Sequence, residues 1–297
     1  MDTITRLIEL ARLRATVDKR CLLAGATEMK VEPLGDAEAA FHFVLDGDCT
    51  LDLPGRQVHL KGGDAVLLPS SQAHTIRTAG SGRLRASVET PGDAFDTIRS
   101  PSGEPATDIF CGHYTVGSSA GRLLLSSLPD PLVVSFDAAD DSVRILSELM
   151  RLEARADGPG TAAVLDSLSG ALLAMVLRRG GLPGVAPWTA IEDRRIAAAV
   201  AAVLQDPAAT WSVERLAEVA SMSRATFVRH FGRHTGATAA AFVTSLRMMV
   251  AADLLTDPDQ TVATVAARVG YQSESAFSRA FREATGITPG RYRRENS

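Results

Sequence analysis

Val213…Leu216-Ala217…Ala220-Ser221-Met222-Ser223…Phe227-Val228-Arg229-His230-Phe231…Thr235-Gly236 governs the last third of this chain, because the pattern occurs twice. Its second copy reads Val262…Val265-Ala266…Val269-Gly270-Tyr271-Gln272-Ser273…Phe277-Ser278-Arg279-Ala280-Phe281…Thr285-Gly286. The offset is 49 residues as far as Val269 and 50 from Ser273 onward. A turn between helices absorbs one extra residue and a helix does not, so each copy reads as helix, short turn, helix. Ser223 and Ser273 stand where a hydroxyl accepts from the free amides of the second helix. The i,i+4 pairs Phe227/Phe231 and Phe277/Phe281 turn one aromatic stripe of each second helix inward. Arg229 and Arg279 follow the first phenylalanine by two positions, about 200° around the helix, and face outward. Two plain helical hairpins would account for the phenylalanines. They would not account for cap, aromatic pair and outward arginine recurring together, which is the pattern of a helix that enters the DNA major groove.

Between the copies, Ala239 to Leu255 reads as one helix with Phe242, Leu246, Met249, Val250 and Leu254 on one side. At about 1.5 Å per residue it spans roughly 25 Å. Held by such a rod, the two units can address consecutive major-groove faces about 34 Å apart, with some bending of the duplex.

These residues resemble the AraC/XylS family of bacterial regulators over about 188–295, and the closing Thr285-Gly286-Ile287-Thr288-Pro289-Gly290-Arg291-Tyr292-Arg293 is similar to the family's signature. The resemblance implies base contacts from outward positions early in each second helix: Arg224, Ala225, Val228 and Arg229 in the first, Glu274, Ser275, Ser278 and Arg279 in the second. Ala225 and Val228 can read only thymine methyls, so Arg229 is the best base-reader of the first helix. Glu274 would repel phosphates unless it meets a cytosine amine. Arg233 and Arg282, later on their helices, look like phosphate clamps. Double-stranded promoter DNA and RNA polymerase are the implied partners.

Upstream, 297 residues leave room for a second domain. From Trp188 onward there are 13 arginines and no lysine against 11 acidic residues, while the rest holds 18 basic against 24 acidic. Net charge therefore carries little weight for nucleic acid. Three scattered cysteines, Cys21, Cys49 and Cys111, form no disulfide framework and fit a reducing cytoplasm. The start, Met1-Asp2-Thr3-Ile4-Thr5-Arg6, does not read as a secretory signal, and no apolar run approaches the roughly 20 residues of a membrane span, so no membrane partner is expected.

Residues 1–20 read as an amphipathic helix through Ile4, Leu7, Ile8 and Leu10. From 21 to 135, short apolar runs alternate with Asp-Gly, Pro-Gly and Gly-Gly turns, the pattern of a barrel or sandwich. The Pro/Gly/Ser/Asp-rich stretch 91–107 reads as a mobile loop. Two helices follow, Ala139–Arg155 with Val143, Leu146, Leu149 and Met150 as its apolar face, then Ala162–Arg179. They pack on the barrel or supply a homodimer face. The predicted division is 1–180, linker 181–190, and 191–297. The fold class is α+β: an antiparallel β-barrel with a helical hairpin, then an all-α tandem helix-turn-helix domain.

Gly63-Asp64-Ala65-Val66-Leu67-Leu68-Pro69…His74 looks like the second cupin motif, while the first is degraded to a lone His42. Two histidines fall short of the three or four ligands a cupin dioxygenase or isomerase needs, so no cofactor, catalytic metal or enzymatic activity is expected. His42 and His74 instead fill the barrel, line an effector pocket, or join a cysteine around zinc or copper. Cys21 follows Asp18-Lys19-Arg20, and neighbouring cations raise a thiol's reactivity. Cys111 has His113 two residues on, facing the same way along a strand. Cys49 reads as a small core hydrophobe. The front half also resembles the cupin-type members of the family that answer reactive chlorine, through Asp18-Lys19-Arg20-Cys21, Val66-Leu67-Leu68-Pro69…Ala73-His74, Cys111-Gly112 and Ser127-Leu128-Pro129. That similarity implies an activator in which Cys21 and Cys111 sense oxidation. A small organic effector in the barrel is the other reading.

Overall fold

The computed structural model describes residues 3–35, 37–117, 119–126, 128–136, 140–179, 193–235 and 237–296; the expected linker 181–190 lies outside them. The chain forms two compact units, one from Met1–Leu13, Val116–Pro129 and Leu177–Ser297, the other from Arg14–Thr115 and Asp130–Val176.

The sequence opens on α1 (Thr3–Ala11), which stops well short of residue 20 because Arg12 turns left-handed at φ 48°. Strands β1 (Leu13–Leu23), β2 (Thr27–Val31), β3 (Glu38–Asp46), β4 (Asp48–Leu53), β5 (Arg56–Lys61), β6 (Asp64–Leu68) and β7 (His74–Thr78) follow. Next come the short β8 (Arg85–Ala86), β9 (Val88–Thr90) and β10 (Asp96–Arg99), then the long β11 (Thr107–Val116). They form a seven-stranded sheet, β12-β6-β3-β11-β1-β10-β9, where β12 is Leu132–Ser135, and a five-stranded sheet, β5-β4-β7-β2-β8. Leu23, Val44, Leu51, Leu60, Val66, Leu68, Ile76 and Ile109 fill the core with Cys21, Cys49 and Cys111.

Two expectations change here. The 91–107 stretch is not simply a loop: β10 pairs parallel with β1, Cys21 opposite Ile98, and Ile98 is buried. One well-placed apolar side chain at a sheet position outweighs the polar composition around it. Within the stretch expected to hold only strands, α2 (Ser119–Ser126) intervenes, burying Leu124 and Leu125.

The helical pair is α3 (Asp141–Ala156), capped by Asp140, and α4 (Thr161–Arg179). Val143, Leu146 and Met150 are buried as expected, but Leu149 is 47% exposed and aligns with exposed Ile145 and Leu152. By length and composition α4 could span a bilayer, unlike the sequence expectation. One face of it packs inward: Leu165, Ser169, Leu172 and Leu173 are buried, and Asp166 accepts from the Val17 amide at 2.9 Å.

The C-terminal helices are α5 (Arg194–Gln205), α6 (Val213–Val219), α7 (Arg224–Thr235), α8 (Ala239–Leu254), α9 (Val262–Arg268), α10 (Glu274–Thr285) and α11 (Pro289–Asn296). Helix α8 is the expected rod, with Phe242, Leu246 and Met249 buried. In the same unit, α2 packs on α1 and along α8, and α1 also touches α5 and α8. Gly121 allows the close approach, since a Cβ there would meet the Ala11 carbonyl at 2.7 Å.

Candidate nucleic-acid interface and sensing site

The two motifs close by the same chemistry. Ser212 and Thr261 cap the first helices of the pairs, α6 and α9, each accepting an amide three residues on. In the first turn the Met222 amide donates to Ala217, and in the second Tyr271 donates to Ala266. Each turn has one left-handed residue, Ser221 at φ 51° and Gly270 at φ 82°. Repeat register thus survives through Tyr271, and the extra residue is Gln272, just before the cap. Ser223 accepts from Thr226 at 3.3 Å and Ser273 from Ala276 at 3.2 Å, as expected of both caps. Phe227, Phe231, Phe277 and Phe281 are buried, and their rings meet in pairs at 5.2 and 5.6 Å. Tyr292 of α11 completes the second core against Phe281 at 5.3 Å.

With one face of each second helix locked inward, the other carries the predicted residues outward. Arg224, Ala225, Val228, Arg229 and Arg233 are exposed on α7, as are Glu274, Ser275, Arg279 and Arg282 on α10, while Ser278 is half-buried. Arg224 does not stand free: its guanidinium pairs with Glu214 of α6 at 2.7 Å, a partner the sequence reading did not assign. Arg247 of α8 was also missed. It donates to the carbonyls of Pro207 and Ala209 at 2.8 and 2.9 Å and lies 5.8 Å from the Tyr271 ring. A Cβ at Gly270 would strike the Ala208 carbonyl at 2.6 Å, so glycine lets the second turn press on this loop. Through Arg247 the loop before the first motif and the turn of the second share one anchor.

In the barrel unit, β1 and β11 are neighbours, and the Cys21 and Cys111 sulfurs lie 3.5 Å apart in the core. The bond to Cys21, then burial, holds the Cys111 thiol well above its usual range. Burial also pushes Cys49 up to about 12. The cations expected to activate Cys21 are spoken for: Arg20 grips Asp108 with two bonds at 2.8 and 3.1 Å, and Lys19 pairs with Glu89 at 2.8 Å. His113 is bonded to Asp18 at 2.7 Å. That bond raises the imidazole above its ordinary value.

His74 Nδ1 lies 2.8 Å from the Gln72 carbonyl, which only accepts, so Nδ1 bears the proton and Nε2 the lone pair. His74 Nε2 therefore accepts from His42 Nε2 at 2.7 Å. His42 Nδ1 is left as a buried acceptor with no partner among the described residues. Burial, then His74 beside it, holds His42 far below its ordinary value, and burial lowers His74 as well. A cavity of about 710 Å³ opens beside His42, lined also by Thr16, Met29, Cys111 and His113 among others.

Comparison with known proteins agrees with both halves. A cupin profile matches residues 2–180 and a helix-turn-helix profile matches 216–295. The chain is an AraC-type transcriptional regulator with a cupin N-terminal domain. It is 34% identical over 303 residues, all of both chains, to an HTH-type transcriptional regulator of Haemophilus influenzae. It is 29% identical, over 99% of this chain and 97% of the other, to RclR of Escherichia coli, an RCS-specific transcriptional activator. The solved DNA-binding domain of AdpA in complex with a target DNA is 36% identical, covering 34% of this chain and 91% of that one, with TM-score 0.33.

Cupin folds often carry a metal, and the histidines of this regulator do not fit one as placed. An ion bound by both Nε2 atoms at about 2.0–2.1 Å in tetrahedral geometry needs them about 3.3 Å apart. They stand at 2.7 Å, a hydrogen-bond distance. Among the described residues no three His, Cys, Asp or Glu side chains cluster as a metal site.

Proposed function

We propose that this DNA-binding regulator is an activator whose grip on promoter DNA is set by oxidation of Cys21 and Cys111 to a disulfide, by reactive chlorine or another electrophile. The observation that carries the reading is the 3.5 Å sulfur-to-sulfur contact. Closing it to the roughly 2.05 Å of a disulfide needs about 1.5 Å of movement, within the reach of two side-chain rotations and a small strand shift. The relation to RclR supports the choice of oxidant.

The route to the DNA runs along the chain. Strand β1 continues back into α1 and β11 forward into α2, and Gly117 donates to the Arg12 carbonyl at 3.2 Å where the two leave the sheet. Both helices rest on α8, the rod between the recognition helices. A shift of β1 against β11 thus moves the support of both motifs. In this reading residues 1–180 sense, 181–190 link and 191–297 bind DNA in the cytoplasm and engage RNA polymerase. Arg224, Ala225, Val228, Arg229, Glu274, Ser275, Ser278 and Arg279 address bases; Arg233 and Arg282 clamp phosphates. The exposed stripe Ile145, Leu149 and Leu152, spaced four and three along α3, is the seam a second copy supplies in kind.

Reporter induction by hypochlorous acid in Cys21→Ser and Cys111→Ser strains tests the signal. Loss in both is expected; full induction in both overturns it. A small organic effector in the 710 Å³ cavity is the second reading, favoured by the orphaned Nδ1 of His42. A thermal shift of the reduced protein with a metabolite panel would reveal it.

A further inference from the structure

The buried sulfur cluster has a third member. Met29 Sδ lies 3.3 Å from Cys21 Sγ, and Cys21 Sγ lies 3.5 Å from Cys111 Sγ, so Cys21 stands in the middle of a line of sulfurs. Met29 and Cys111 line the 710 Å³ cavity and Cys21 does not. Exposure sets Cys21 apart in the same way: Met29 and Cys111 are 4% and 5% exposed and Cys21 not at all. An oxidant entering this cavity reaches the thioether without first passing the central thiol.

We infer that Met29 is the entry point of the sensor, accepting chlorine from hypochlorous acid and passing the oxidising equivalent to Cys21 and then to Cys111. The inference rests on the oxidation reading above and adds to it a residue and an oxidant preference. A thiol reacts chiefly as its thiolate. Cys111, bonded to Cys21 and buried, stays protonated at neutral pH and is a poor first nucleophile. A thioether needs no deprotonation, and its polarizable sulfur is oxidised readily.

The steps balance. Met29 sulfur displaces hydroxide from hypochlorous acid by bonding chlorine, giving a chlorosulfonium. Cys21 sulfur attacks that sulfonium, expelling chloride and losing its proton, which leaves a thiosulfonium between residues 29 and 21. Cys111 sulfur then attacks Cys21 sulfur, loses its proton and releases Met29 as the unchanged thioether. In sum, hypochlorous acid and two thiols give one disulfide, chloride, water and a proton. Two electrons pass from the thiols to chlorine, and Met29 is regenerated.

The test uses the reduced full-length chain, stoichiometric hypochlorous acid, rapid thiol blocking and peptide mapping, with diamide in parallel because it attacks thiols directly. Wild type should give the Cys21–Cys111 disulfide with Met29 unoxidised. Met29→Leu should form the disulfide at least about tenfold more slowly with hypochlorous acid and at the wild-type rate with diamide, which also shows that the cysteine pair is intact. In Cys21→Ser/Cys111→Ser the chlorosulfonium has no thiol to meet, so water should convert Met29 to the sulfoxide. An unchanged rate in Met29→Leu, or an unmodified Met29 in the double variant, overturns the relay. Absence of the disulfide in wild type with both oxidants removes the sensing reading itself.

Discussion

Arg12 and Asp253 meet at 3.0 Å, tying the end of the first helix of the chain to the last turn of the rod between the recognition motifs. The pair is partly exposed, so its share of stability is below about 1 kcal/mol. Its importance is positional. Arg12→Asp should leave thermal unfolding nearly unchanged while altering the ratio of induced to uninduced reporter several-fold, and Arg12→Asp/Asp253→Arg should restore it. A ratio unchanged in the single variant would remove α1 from the signalling route.

The roles proposed for the outward arginines make different predictions. Arg229→Ala and Arg279→Ala should each cost about 1–3 kcal/mol, roughly 5- to 150-fold in affinity, and relax preference at one base position. Arg233→Ala and Arg282→Ala should weaken binding to all sequences and lower the salt slope by about one. Fluorescence anisotropy across a salt series separates the two patterns.

Arg247 serves both motifs, holding the carbonyls of Pro207 and Ala209 before the first and lying 5.8 Å from the Tyr271 ring of the second. Arg247→Ala removes two hydrogen bonds from a charged donor, each worth about 1.5–3 kcal/mol. Binding to the first and second half of the operator should fall together. Loss confined to one half would contradict a shared anchor.

The neutral, buried His42 and His74 set a pH dependence. Their folded values lie below the ordinary 6.5, so the stability they carry is complete above that value and is lost as pH falls through the lowered ones. Each proton taken up only on unfolding contributes a slope of about 1.4 kcal/mol per pH unit. Denaturant unfolding of the wild type should weaken as pH falls below about 6.5, and His42→Gln should show a visibly shallower decline.

The α3 seam gives a sedimentation test. Leu149→Glu/Leu152→Glu should shift the protein from dimer to monomer with little loss of fold, since both residues are exposed in the single chain. A wild-type protein that is monomeric at all concentrations would leave the seam without its second copy.

The tandem motifs were legible in the residues because their signals are local. A cap acts on an amide three positions on, a phenylalanine pair repeats every turn, and a one-residue insertion shows in the repeat register itself. The outward placement of Arg229 and Arg279 followed from helical period and the rest of the set from resemblance; all are exposed except Ser278, which is half-buried. Glu214 opposite Arg224 was not legible, because the two sit on different helices and only the turn between them sets their distance.

Sequence alone therefore determined the two-part plan and the recognition helices from short-range periodicity, and singled out Cys21 and Cys111 as candidates through resemblance. The tertiary structure alone decided that Cys21, Cys111 and Met29 share one line of sulfurs, that Ile98 belongs to a sheet, and that α1 and α2 lie against α8. Those facts join residues up to about 240 positions apart. Strand order and helix docking depend on how surfaces fit once the chain has closed, and no local spacing encodes that fit.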